Sequence, residues 1–366
     1  MIKFLSTLLL AFCFTTNFSQ NLVTEKYSLS KQVKETSGLL FFNNKTITHN
    51  DSGNTTQLFE LDTLDGRITR IIDISNATNT DWEDITEDDT FIYIADMGNN
   101  YSSRKDLKIY RISKEDYTKN NAVDAEIISF SYSNQESFYP NKKNDFDAEA
   151  IIIQDNQFII FSKNRGDKQT RVYTLKNEIG EQIANYSHTY NIEGLITGAT
   201  INKENNQIIL CGYSDGLTPF LVVLNSYDAT SFTRIDLTPM MGLANQIEGI
   251  THIKGDKYFV SREKLKKKIG GYSISVPAKL FEVDLSKIDL HQSEVSDYLK
   301  SISSVKKLKE PVSFKKVTIL NDLKETMLIQ MDSLENISTA NFRKGNYSIQ
   351  IIVNDTISVT SKLVVD

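Results

Sequence analysis

A short pattern recurs five times along the chain: TSGLLF at 36–41, WEDITE at 82–87, AEAIII at 148–153, ITGATI at 196–201 and IEGITH at 247–252. Aligned on the small or apolar residue that follows, each copy places one oxygen-bearing side chain at the same point: Ser37, Glu83, Glu149, Thr197 and Glu248. The intervals are 46, 66, 48 and 51 residues, close to the roughly 40–50 residues of a propeller blade. A polar position repeated at that period, at the head of an otherwise apolar strand, predicts a ring of oxygens around one axis. Three of the five are carboxylates, which repel one another unless a cation sits among them.

Each marker is followed by the same grammar of a second, third and fourth strand separated by polar turns. The first unit reads KTITHND, QLFELDT and RITRIIDI; the second reads FIYIADM, DLKIYRI and AEIISFSY. Alternation, β-branched content and Gly/Asn/Asp turns support strands throughout. The fifth unit runs out after KLFEVDL, and its missing outer strand is available in LVTEKYSL at 22–29. Pairing the two ends of the chain in one blade would remove exposed sheet edges. The expected fold is therefore an all-β propeller of five blades over 20–290. The 66-residue interval leaves room for a sixth blade, and a long sandwich or solenoid would share the strand grammar.

Met1–Ser19 reads as a secretory signal: Lys3, a short apolar core and a polar exit, too short to span a bilayer. Its removal leaves Cys211 as the one cysteine, so packing or metal must supply what no intramolecular disulfide can. A net charge of −6 offers no basic face for nucleic acid, and no membrane span is expected after cleavage. A monomer is the expected state. Residues 291–312 read as a linker, and 313–366 as a small β module with strands FKKVTIL, TMLIQMD, GNYSIQIIV and VTSKLVV.

The segment LENISTANFRKGNYSIQIIVNDTISVTSKLVVD resembles the type A C-terminal sorting domain of the Bacteroidota type IX secretion system. That resemblance implies export to the cell surface or medium, with the secretion machinery as a partner; a small immunoglobulin-like module is the alternative.

In a propeller the first strand of each blade lines the channel, so the five marker residues should converge. Carboxylates and hydroxyls suit calcium, a hard ion taking six to eight oxygens. No His or Cys shares the register, which argues against zinc. The alternative is that these side chains bond backbone amides across a wet channel. The markers in TSGL, DWEDI, AEAI, ITGA and IEGI resemble the soluble calcium-activated nucleotidases, the five-bladed apyrase family. SGLLFFNNKTITHNDSGN and DFDAEAIIIQDNQFIIFSKN also resemble the broader esterase-like phytase and SdiA-regulated propellers. Both resemblances imply one central calcium held by Ser37, Glu83, Glu149, Thr197 and Glu248.

The turns after the second strands should open beside that ring. They carry Asn50 and Asp51; Asp96, Asn99 and Asn100, with Arg104 beyond; Lys163 and Arg165; Tyr213 and Asp215; Arg262 and Glu263. Mixed charge around a metal suits an anionic, phosphate-bearing small molecule. In a hydrolase, Asp51 or Asp96 would orient water while Arg262 neutralises developing charge, with Asn50, Asn99, Asn100, Arg104, Lys163, Arg165 and Asp215 as ligand contacts. Walker and HExxH motifs are absent. A non-catalytic surface propeller with a structural calcium is the competing expectation.

Overall fold

The computed structural model describes residues 21–141, 143, 145–269, 272–288, 315–321, 323–331 and 342–365. The expected signal over 1–19 and linker over 291–312 lie outside the described residues.

Among the described residues five blades of four antiparallel strands surround one axis, and the outer strands of blades two and three join in parallel over Ile128–Tyr132 and Gly180–Ala184. Their inner strands are Thr36–Phe42, Trp82–Glu87, Ala148–Gln154, Leu195–Ile201 and Ile247–Lys254. Each packs against the next and the fifth returns to the first, closing the ring. The inner strands are the ones buried on both faces: WEDITE is buried at all six positions, its four polar side chains included. Third strands such as Gln57–Asp62 alternate between buried and half-exposed, as strands nearer the rim must.

The 66-residue interval holds no sixth blade. It contains the remaining strands of blade two, the helix Lys114–Lys119, and a two-residue strand, Ala122–Val123, that pairs in parallel with Asp73 and Ile74 of blade one. Blade five closes as the sequence implies: Val23–Ser28 is its outer strand, antiparallel to Lys279–Asp284. The cores lie between blades. Between blades one and two they include Leu40, Ile47, Ile85, Ile94 and Trp82; between five and one a smaller set centres on Leu39, Phe259 and Leu280. Among the described residues no helix is long and apolar enough to cross a membrane.

The C-terminal strands, Lys316–Asn321, Thr326–Met331, Gly345–Ile352 and Ile357–Val365, form an antiparallel sheet that is not separate from the blades. A polar linker ahead of the module predicts few contacts across the boundary. Instead Ile357–Ser361 pairs antiparallel with Ser231–Ile235, the outer strand of blade four. The unpaired edge of that strand explains the docking: its amides and carbonyls need partners, and a second strand supplies them.

Candidate metal centre

The recurring polar position is a register slip. Pairing with the second strand skips one residue between Trp82 and Asp84, Ala148 and Ala150, Ile196 and Gly198, and Ile247 and Gly249. The skipped residues are Glu83, Glu149, Thr197 and Glu248. Such a bulge re-aims one side chain out of the alternating pattern. In blade one the slip falls between Ser37 and Leu39, so Gly38 is skipped rather than Ser37. Gly38 has φ +61, and a Cβ there would lie 2.9 Å from the Asp84 Cα and the Ile85 nitrogen. The first marker is thus one residue out of register with the others.

The two hydroxyls stitch blades together rather than complete an oxygen ring. Ser37 Oγ donates to the Glu83 carbonyl at 2.6 Å, and Thr197 Oγ1 donates to the Ile247 carbonyl at 2.7 Å. Ser37 still faces the channel cavity, whereas Thr197 does not. The carboxylates of Glu83, Glu149 and Glu248 do converge on that cavity, which holds about 140 Å³.

A lysine has entered the ring. Lys163, 4% exposed, sets its ammonium against Glu149 and 5.3 Å from the ring of Tyr213. Burial works against the ammonium, but the carboxylates of Glu149 and Glu248 outweigh it and hold Lys163 charged, its pKa well above the ordinary lysine value. Arg165 adds contacts of 3.2 Å to both Glu149 Oε1 and Asp147 Oδ2, and of 2.6 Å to Asn100 Oδ1. Glu149 therefore already has two cationic partners.

Unneutralised charge collects one step away. Asp51, Asp81 and Glu83 each present a carboxylate oxygen, and all three lie within 4.8 Å of one another. Burial, then the charges of Asp51 and Asp147, push Asp81 up to about 7. Burial, then Glu149, lifts Glu83 well above the usual carboxylate range, and burial raises Asp51. Glu263, on the same cavity, is pushed up to about 8 by burial and Glu248. Gly98 presses on the cluster: a Cβ there would fall 2.1 Å from Glu83 Oε1 and 2.5 Å from Asp81 Cγ. Only a residue without a side chain lets the backbone approach both carboxylates this closely.

Several expected contacts hold loops instead. Asn50 accepts from the Glu35 amide and donates to the Gln32 carbonyl. Asp96, fully buried, accepts from the Asp81 amide at 3.0 Å and from Arg104 at 2.9 Å. Arg104 also donates to the Gly98 carbonyl, and the Asn99 side chain accepts from the Arg104 amide. These three residues fix the loop that carries Gly98 without lining the cavity. Asp215 is exposed and paired with Lys168. Arg262 donates twice to the Pro277 carbonyl and once to Asn245 Oδ1, over the ring of Phe281. It does not reach the cavity, so its expected catalytic role is corrected to a structural one.

Sequence reasoning missed Asp81, Asp84 and Asp147. Asp84 lies beside the channel axis, fully buried, accepting from the amides of Ile85, Ile151 and Ala199 at 2.9, 3.0 and 3.2 Å. It therefore ties blade two to blades three and four. The Asp-Trp-Glu-Asp run at 81–84 was the available signal, since a bulge lets neighbouring residues share one side of a strand.

In sequence the chain matches no protein-family profile and no curated protein. Among solved structures it is similar to the PQQ-bound aldose sugar dehydrogenase of Streptomyces coelicolor, at 10% identity and a TM-score of 0.39 over 71% of this chain and 98% of that one. A gluconolactonase from Xanthomonas campestris shows 8% identity and a TM-score of 0.38 over 93% and 89%. Superposition this loose bears on neither mechanism nor ligand.

Proposed function

We propose that this chain is a secreted, divalent-cation-binding propeller that hydrolyses a phosphate-bearing or other anionic small molecule at the mouth of its channel. The observation that carries the reading is the trio Asp51, Asp81 and Glu83, three carboxylates within 4.8 Å of one another and with no direct ion pair among the described residues. An all-oxygen donor set with no His or Cys suits a hard ion, and calcium best accepts an irregular one. These three residues would hold the ion, in place of the five-membered ring that the repeat implies. When bound, such an ion polarises a phosphoryl or acyl oxygen.

The remaining groups have distinct tasks. Arg165 uses only Nη2 on its protein partners; Nε and Nη1 carry none among the described residues and are free to receive an anion. Glu263, pushed up to about 8 by burial and Glu248, lines the same cavity and is placed to donate a proton to a departing oxygen. Lys163 stays on Glu149 and sets the local potential.

One observation favours the non-catalytic alternative, a binding propeller with a structural ion: at about 140 Å³ the cavity admits little more than an anionic group, below the roughly 300 Å³ at which ligand pockets usually begin. Phosphate or alcohol release from nucleotides, sugar phosphates and aryl esters, with calcium or chelator, separates the two. Turnover that needs calcium and disappears in Glu83→Gln supports the enzyme. Calcium-dependent stabilisation without turnover supports the binder. No bound calcium by elemental analysis, with no stabilisation, removes both. Export rests on the resemblance of residues 313–366 to a sorting domain; fusing them to a reporter in a host with that machinery tests it.

A further inference from the structure

A second cavity, of about 370 Å³, lies far from the channel, between the rim of blades three and four and the C-terminal sheet. Its walls come from both parts of the chain: Tyr190, Asn191 and Phe232 from the blades, Lys324, Tyr347 and Lys362 from the C-terminal strands. The ladder between Ser231–Ile235 and Ile357–Ser361 holds the two walls together.

The lining has a specific chemistry. Tyr190 donates its hydroxyl to the Tyr227 and Ala229 carbonyls and Tyr347 donates to the Arg343 carbonyl, so both rings are anchored. Phe232 meets Tyr190 edge to face at 5.8 Å. The result is a rigid aromatic floor. Among the described residues no carboxylate lines the cleft, and its charged residues are Lys324 and Lys362, both exposed and without an ion-pair partner. Asn191 Oδ1 is buried with no hydrogen-bond partner. A buried acceptor left unpaired is costly, so it calls for a donor from an occupant.

We propose that this cleft binds an acidic sugar, a pyranose ring bearing a carboxylate as in a uronic-acid unit of a glycan. The C–H face of such a ring covers an aromatic floor, its hydroxyls donate to Asn191, and its carboxylate meets the two ammonium groups. A purely apolar ligand would leave the buried Asn191 oxygen unsatisfied. A bare anion would leave the floor empty. The volume stands at the lower end of small-ligand sites, suited to one or two sugar rings. Because each wall belongs to a different part of the chain, an occupant also strengthens the junction of blade four with the C-terminal sheet.

The test is calorimetric titration of the full-length chain with glucuronate, glucose and inorganic phosphate, in chelator and repeated with Arg165→Ala, so that neither the cation nor the free guanidinium donors of the channel contribute. Glucuronate should bind more tightly than glucose or phosphate. Lys324→Ala combined with Lys362→Ala, both at exposed positions, should weaken it roughly hundred-fold, the loss of two charge-assisted contacts at about ten-fold each, and leave the calcium response unchanged. No heat from glucuronate, phosphate binding as tight as glucuronate, glucose binding as tight as glucuronate, or an unaltered double variant would each overturn the assignment.

Discussion

Withdrawing the cation should make this fold depend on pH in an unusual direction. Asp81 is raised from 3.8 to about 7 and Glu263 from 4.5 to about 8, each first by burial and then by neighbouring carboxylates. In the unfolded chain the same groups titrate near their ordinary values of about 4. The folded pKa lies above the unfolded one, so between those limits the native state holds more protons. Stability is then fully present below about pH 4 and is lost as pH rises toward 8. For Asp81, 8% exposed and so little screened, the displacement corresponds to about 4 kcal/mol across that window. Glu83 and Asp51 push the same way. Calcium acts against this: at a hundred times its dissociation constant it returns about 2.7 kcal/mol, and its charge lowers the carboxylate pKa values it faces. Unfolding midpoints at pH 5 and pH 8, in chelator and in calcium, read both effects. In chelator the pH 8 midpoint should be the lower by several degrees, and calcium should close most of the gap. Chelated protein equally stable at pH 8 and pH 5 would refute the buried-cluster argument. A cluster that destabilises at pH 8 but ignores calcium would refute the cation site.

Three further outcomes follow from single contacts. Asp84→Ala leaves the Ile85, Ile151 and Ala199 amides without their carboxylate; at about 1–3 kcal/mol per orphaned buried group, less the relief of burying no charge, a net loss of about 3 kcal/mol is expected in urea titration, and a change near zero would exclude Asp84 as a blade clamp. Gly98→Ala should lower calcium affinity about ten-fold, because a Cβ would collide with Glu83 Oε1; equal affinity by isothermal titration would dissociate Glu83 from the ion. Arg262→Ala should destabilise by about 1–3 kcal/mol through its lost bonds to Pro277 and Asn245 while leaving calcium binding intact, and any turnover that fell without a stability change would restore the catalytic role denied to it here.

What the chain carried openly was local and periodic. Strand alternation, turn residues and the five-fold marker are patterns within a few residues of each other, which is why the blade architecture and the closing strand at 22–29 can be read before any coordinates. That the markers sit on bulges is different: a bulge is a property of two paired strands, and TSGL hides its slip because Gly38, with no side chain, leaves Ser37 to look like the equivalent of Glu83. Charge placement is more remote still. Lys163 lies just past the end of a second strand and Asp81 on the approach to a first. Their effect on the carboxylates depends on distances across the channel, where low dielectric makes one ammonium decisive. Arg262 illustrates the converse, an arginine at the end of a second strand whose three guanidinium nitrogens each bond a backbone carbonyl or an amide that sequence spacing cannot bring near. The docking of the C-terminal sheet on blade four was likewise invisible, since edge-strand pairing uses main-chain groups that every sequence possesses.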